Sequence, residues 1–120
     1  MFSLDGGVKY WLYNKPVDMR KSFNGLSGIV TNAMCASLRS GDVYIFMNAS
    51  RNMMKMLRRE EGGLVLYALR LDMGRMKPAI TSSDEDVISS VISYEDIIKM
   101  VRSALESPYV RRIRMLSKNL

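Results

Sequence analysis

A chain of 120 residues, 48% hydrophobic and 25% charged, fits one domain able to bury its own core without cross-links. It carries no histidine and a single cysteine, which removes the commonest general base, the commonest metal ligand, any internal disulfide and any cysteine-based zinc site. Eighteen Lys and Arg against twelve Asp and Glu give a net charge of +6, a balance suited to nucleic acid or to an acidic protein partner.

No apolar run approaches the ~20 residues needed to cross a bilayer. The start, Met1 to Gly7, lacks the basic and apolar segments of a secretory signal. With the lone Cys35, these features predict a cytoplasmic protein that does not enter membranes. Cys35 itself is expected inside a helix as a small buried hydrophobe.

In chain order, the aromatic run Val8 to Tyr13 reads as a strand, ended by Asn14-Lys15-Pro16. Phe23, Leu26, Val30, Ala33 and Met34 recur at helical spacing and predict a helix from Met19 to about Leu38, with Asp18 as its N-cap. Arg20 and Lys21 would then sit in the first turn, where the helix dipole disfavours cations unless an anion is near. The competing reading is that both point into water, or that Arg20 pairs with a carboxylate. Gly25 and Gly28 weaken that helix, which suggests close packing by another backbone.

Val43 to Met47 is apolar on both faces and predicts a central strand covered on both sides. Met53 to Arg59 and Leu64 to Leu71 follow as strands. The short connections Asn48 to Asn52 and Glu60 to Gly63 require antiparallel hairpins. A short edge strand is expected over 75–80, and a loop with a strand or short helix over 81–92. Ser93 and Asp96 have the spacing of a capping box, opening a helix whose apolar stripe is Tyr94, Ile97, Ile98, Val101 and Leu105. The whole predicts an α+β domain over 1–107: an antiparallel sheet of four or five strands packed by two main helices. Residues 108–120 form a basic tail.

The residues present no catalytic or metal motif and no cofactor site. Asp18, Asp42, Asp72, Glu60 and Glu61 lie at turns or caps, where acids commonly serve structure, and Asp84-Glu85-Asp86 reads as a solvated segment. A carboxylate-dependent nuclease is the enzymatic alternative. The cations are more suggestive. Arg51, Lys55, Arg58 and Arg59 lie on one hairpin arm, with Arg70 and Arg75 on its neighbour. Lys55, Leu57 and Arg59 share one face by the two-residue period, and Met54, Met56 and Arg58 the other. Such a hairpin could lie along a nucleic-acid groove, or be a solvated surface paired to Glu60, Glu61 and Asp72. Arg111, Arg112 and Arg114 concentrate further charge in the tail.

Four segments together resemble a known family: Tyr10-Trp11-Leu12; Val17-Asp18-Met19-Arg20-Lys21-Ser22-Phe23-Asn24-Gly25-Leu26; Gly41 to Phe46; and Leu64 to Leu71. The chain is similar to the TnpB-type accessory protein of insertion-sequence-66 elements, distinct from the RNA-guided nuclease sharing that name. The likeness runs from about Val8 to Leu105. It departs at Ser22, where the family usually has Gly, at 57–63, where the family has a Trp-Trp-Asp-Gly-like segment, and at Met76-Lys77-Pro78, where the family has an aromatic-Trp-Pro. The resemblance implies an accessory role in DNA transposition beside a separate catalytic transposase and a further small protein; the lack of a catalytic motif adds the expectation that the role is non-catalytic. The expected partners are DNA and those element-encoded proteins, and self-association is a further expectation. A scaffold that holds the transposase without touching DNA is the rival reading. Arg20 and Lys21, then Arg51, Lys55, Arg58 and Arg59, then the tail arginines are the expected contacts.

Overall fold

The alternation of short apolar runs with polar turns is realised as one five-stranded sheet. A computed structural model describes residues 8–79 and 86–105. The strands are β1 (Tyr10–Tyr13), β2 (Val43–Met47), β3 (Met53–Glu60), β4 (Gly63–Arg70) and β5 (Ser89–Ile92), in the order β4-β3-β2-β1-β5. The helices are α1 (Phe23–Gly28), which continues as a wider π-helical turn over Ile29–Ala33, and α2 (Tyr94–Leu105). A single 3-10 turn covers Leu38–Ser40.

The α+β class and the two hairpins β2-β3-β4 agree with the sequence reading. The sheet is nevertheless mixed, because β1 pairs parallel to β2, Trp11 opposite Tyr44. A parallel neighbour needs a long crossover, and residues 14–42, carrying α1, supply it. β5 closes the other edge antiparallel to β1. The fifth strand is therefore Ser89–Ile92, and no strand forms over 75–79. Those residues tie other parts together instead: the Met76 amide donates to the Arg51 carbonyl at 2.7 Å, and the Lys77 amide to Ser103 Oγ at 2.9 Å.

Every residue of β2 is buried, as its unbroken apolar run requires. Its alternation divides the core in two. Val43, Ile45 and Met47 join Tyr10, Leu12, Met54, Met76 and Ile92 under α2. Tyr44 and Phe46 join Val17, Leu26, Val30 and Leu57 under α1. The buried stripe of α2 is Ile97, Met100 and Ala104, rotated from the expected one, and Tyr94 is 41% exposed. The capping box forms: the Asp96 amide donates to Ser93 Oγ at 3.1 Å and the Ser93 amide to Asp96 Oδ2 at 2.9 Å. The amide bond holds the Asp96 carboxyl below its ordinary range.

The first helix departs most from expectation. It starts at Phe23, with Ser22 as a cap that makes no side-chain bond, so Asp18 is not its N-cap. Cys35 is exposed, past the helical turn, at φ 52, the left-handed conformation that terminates helices. Gly28 has open space where a side chain would be, and a Cβ on Gly25 would meet only the Lys21 side chain, at 3.2 Å. Neither glycine marks a close backbone contact. The tail 108–120, with Arg111, Arg112 and Arg114, and the acids Asp84 and Glu85 lie outside the described residues.

Candidate nucleic-acid interface

Residues 18–21 form a turn of their own. The Lys21 amide donates to the Asp18 carbonyl at 3.0 Å, and the Arg20 amide to Asp18 Oδ1 at 2.9 Å. The Arg20 guanidinium folds back onto the same carboxylate, Nη2 to Oδ2 at 2.6 Å. An Asp that bonds the amide two residues on offers the backbone an alternative to helix. Arg20 is thus exposed but neutralised locally, and the dipole argument for an anion beside Arg20 and Lys21 falls with the helix start.

Arg20 holds the Asp18 carboxyl down to about 2, chiefly by its side-chain hydrogen bond. The folded value lies below the ordinary 3.8. The turn's contribution is therefore complete above that value and is lost as pH falls through the folded one. Both side chains are well exposed, which keeps the energy small. Carboxyl NMR should show Asp18 titrating near 2 in the native chain and moving toward 3.8 in Arg20→Gln. An unmoved midpoint would remove the pairing.

Lys55 also has a different role from the expected one. Its ammonium donates to the carbonyls of Met19 and Lys21, each at 2.7 Å. It fastens the 19–21 turn onto β3, and capture of the Met19 carbonyl takes an acceptor that a helix beginning at 19 would need.

The two-residue period sorts the other hairpin cations. Leu57 packs under α1, and Met54 and Met56 pack on the α2 side. Lys55 and Arg59 therefore share the α1 face, and Arg58 lies on the opposite one. Register adds Arg70, opposite Met53, to the α1 face. Arg59, Arg70 and Lys21 are exposed and make no ion pair among the described residues. The expected pairing of the hairpin to Glu60, Glu61 and Asp72 does not occur at Arg59 or Arg70. Along the strand direction, the row Arg70, Lys21 over Lys55, and Arg59 covers about 20 Å at ~3.4 Å per residue. Arg51 stands apart, in the loop at the end of the sheet, and the structure does not gather it with the row. The sequence already placed Arg70 on the neighbouring arm, but only the strand register fixes the face it shares with Arg59.

Asp18, Asp42 and Asp96 serve structure, the last in the capping box. Asp42 accepts from Trp11 Nε1 at 3.0 Å and from the Lys9 amide at 3.3 Å, and Asp18 is held by Arg20. Among the described residues no three Asp, Glu or Cys side chains cluster to hold a metal. No helix among them is long and apolar enough to cross a membrane.

A family model described as IS66 Orf2-like protein matches residues 8–101. A protein of Sinorhizobium fredii, called uncharacterized protein y4jC, is 26% identical over 69 residues. That match covers 58% of this chain and 59% of the relative, so the chain spans somewhat over half of that relative's length. No solved structure matches. The matched span takes in all five strands, α1 and the first two turns of α2, and on that ground the chain belongs to the family of IS66 Orf2-like proteins.

Proposed function

We propose that the protein acts in transposition by docking on duplex DNA through the cationic row on its α1 face, without catalysing strand chemistry itself. The observation that carries this reading is that Lys21, Arg59 and Arg70 are exposed on one face and make no ion pair among the described residues. A row spanning about 20 Å along a strand suits several contacts to a phosphate backbone, which supplies most of the affinity in sequence-independent binding. The engagement of Asp18 and Asp42 in structural bonds speaks against a nuclease built on them.

The test is duplex binding as a function of salt. The native chain should lose affinity steeply as salt rises. The combined variant Lys21→Gln, Arg59→Gln, Arg70→Gln should lower the slope of log K against log salt by about 2.7, at ~0.9 per phosphate contact. An unchanged slope removes the row from the interface. Absent DNA binding together with capture of the element's transposase would replace this reading with the scaffold one.

A further inference from the structure

β4 is the last strand of the sheet order, so one of its edges is open. Natural sheets blunt such edges with short strands, proline, bulges or charges. The opposite edge, β5, is only four residues long and begins with two serines. β4 runs for eight residues, with no proline and a single charge, Arg70, at its end. It pairs with β3 without a bulge, from Met53 opposite Arg70 to Glu60 opposite Gly63.

Register decides which backbone groups face outward. The Leu71 amide donates to the Asn52 carbonyl at 2.8 Å, which makes that pair a hydrogen-bonded one. By antiparallel alternation Leu69, Tyr67 and Val65 also bond to β3. The amides and carbonyls of Leu64, Leu66, Ala68 and Arg70 therefore point away from the sheet. None of them has a hydrogen-bond partner among the described residues. A row of this kind is a template for one more strand.

The side chains narrow the choice of strand. Leu64 and Leu66 pack on the α1 side and Leu69 on the α2 side, and Val65 and Tyr67 share the α2 side by the two-residue period. An acidic segment drawn by the net charge would meet one cation here and lay its carboxylates on apolar surface. A second β4 matches on both faces. The ends of the strand also differ in sign: Glu60 and Glu61 precede it, whereas Arg70 and Arg75 outnumber Asp72 where it finishes. Antiparallel self-pairing sets each acidic turn toward the other copy's basic end, and parallel pairing would set like toward like.

We propose that two copies of this chain join antiparallel along β4, about a two-fold axis normal to the sheet at Tyr67. Opposed residues in a sheet share a face, and this register obeys that rule. Tyr67 meets the partner's Tyr67, Val65 the partner's Leu69, and Leu66 the partner's Ala68. Every outward amide then faces an outward carbonyl of the other copy. The contact is self-complementary and closes on itself. Two five-stranded sheets become one, with both α1 faces on the same side. The pairing uses backbone groups and stands whether or not the α1-face row binds DNA.

Sedimentation equilibrium across a dilution series, without nucleic acid, tests it. At the concentrated end the native chain should show twice the 13.7 kDa of one chain. Ala68→Pro deletes an outward amide, and an edge strand tolerates proline at such a position. Two symmetry-related bonds are lost, so association should weaken by about tenfold while far-UV circular dichroism holds. Should the proline variant fail to fold, Ala68→Lys, at an exposed site, should give the same loss, because lysine blunts an edge. The pivot is read by oxidation in a Cys35→Ser background. Opposed residues of a non-hydrogen-bonded pair stand ~4.5 Å apart at Cα, within disulfide range, so Tyr67→Cys should form a covalent dimer. Val65→Cys, ~14 Å from its own copy at ~3.4 Å per residue, should not. A native chain that stays monomeric overturns the proposal and leaves the edge to a strand of another protein. A dimer that neither Ala68 variant weakens also overturns it, as does a Val65→Cys cross-link as efficient as that of Tyr67→Cys. Failure of association leaves the DNA reading untouched, and an unchanged DNA salt slope leaves the dimer untouched.

Discussion

Lys55→Met should destabilise the protein by about 2–3 kcal/mol while leaving its sheet register intact. The ammonium holds two carbonyls, those of Met19 and Lys21, at 2.7 Å each. Hydrogen bonds to charged groups contribute about 1.5–3 kcal/mol; the partial exposure of these two bonds and their dependence on one flexible side chain keep the sum below twice that. Methionine preserves most of the stem and removes the donor. At ~4–8 °C per kcal/mol for a domain near this size, the loss is easily read in a thermal melt, and urea unfolding should show a lower midpoint with unchanged m. A loss under about 0.5 kcal/mol, the range of an ordinary surface substitution, would show that Lys55 does not fasten the turn and would return it to the phosphate-contact candidates.

Phe46→Ala should cost more, about 3–5 kcal/mol. Phe46 is fully buried in the central strand, among Val17, Leu26, Val30, Tyr44 and Leu57 on the α1 side, and its ring supports Tyr13. Removing it takes away transfer energy and leaves a cavity between sheet and helix that these neighbours fill only in part. Against a typical total of ~5–15 kcal/mol, the variant should be partly unfolded at 37 °C. Guanidinium unfolding measures it. A cost below about 1 kcal/mol would mean that the α1 layer collapses onto the gap. Phe46→Leu should cost clearly less, because it fills most of the same space.

Local pattern was legible wherever it is enforced by neighbours in sequence. The uniform apolarity of Val43 to Met47 announced a central strand, and the chain buries all of it. Ser93 and Asp96 announced a capping box, and both of its bonds form. The period of β3 separated Lys55 and Arg59 from Arg58. The family likeness, carried by the segments around Asp18, Asp42 and Leu64, agrees with the match over residues 8–101.

The start of α1 was misread for a physical reason. Apolar spacing from 19 to 38 is helical, but two bonds outside that pattern decide the conformation of 18–21: Arg20 closing on Asp18, and Lys55 arriving from β3 to take two carbonyls. A contact between residues 36 apart in sequence leaves no trace in a window of eighteen.

The amino-acid order alone determined the α+β class, the β2-β3-β4 hairpins, the second helix with its cap, and an excess of cations fit for an anionic partner. Each follows from periodicity, turn chemistry or composition, which act over a few residues or over the sum of all. Tertiary structure decided which cations are free and where they stand. It spent Lys55 and Arg20 on the turn and set Arg59 and Arg70 on one face through register. A side chain's availability depends on long-range partners that compete for it, and those exist only once the sheet has closed.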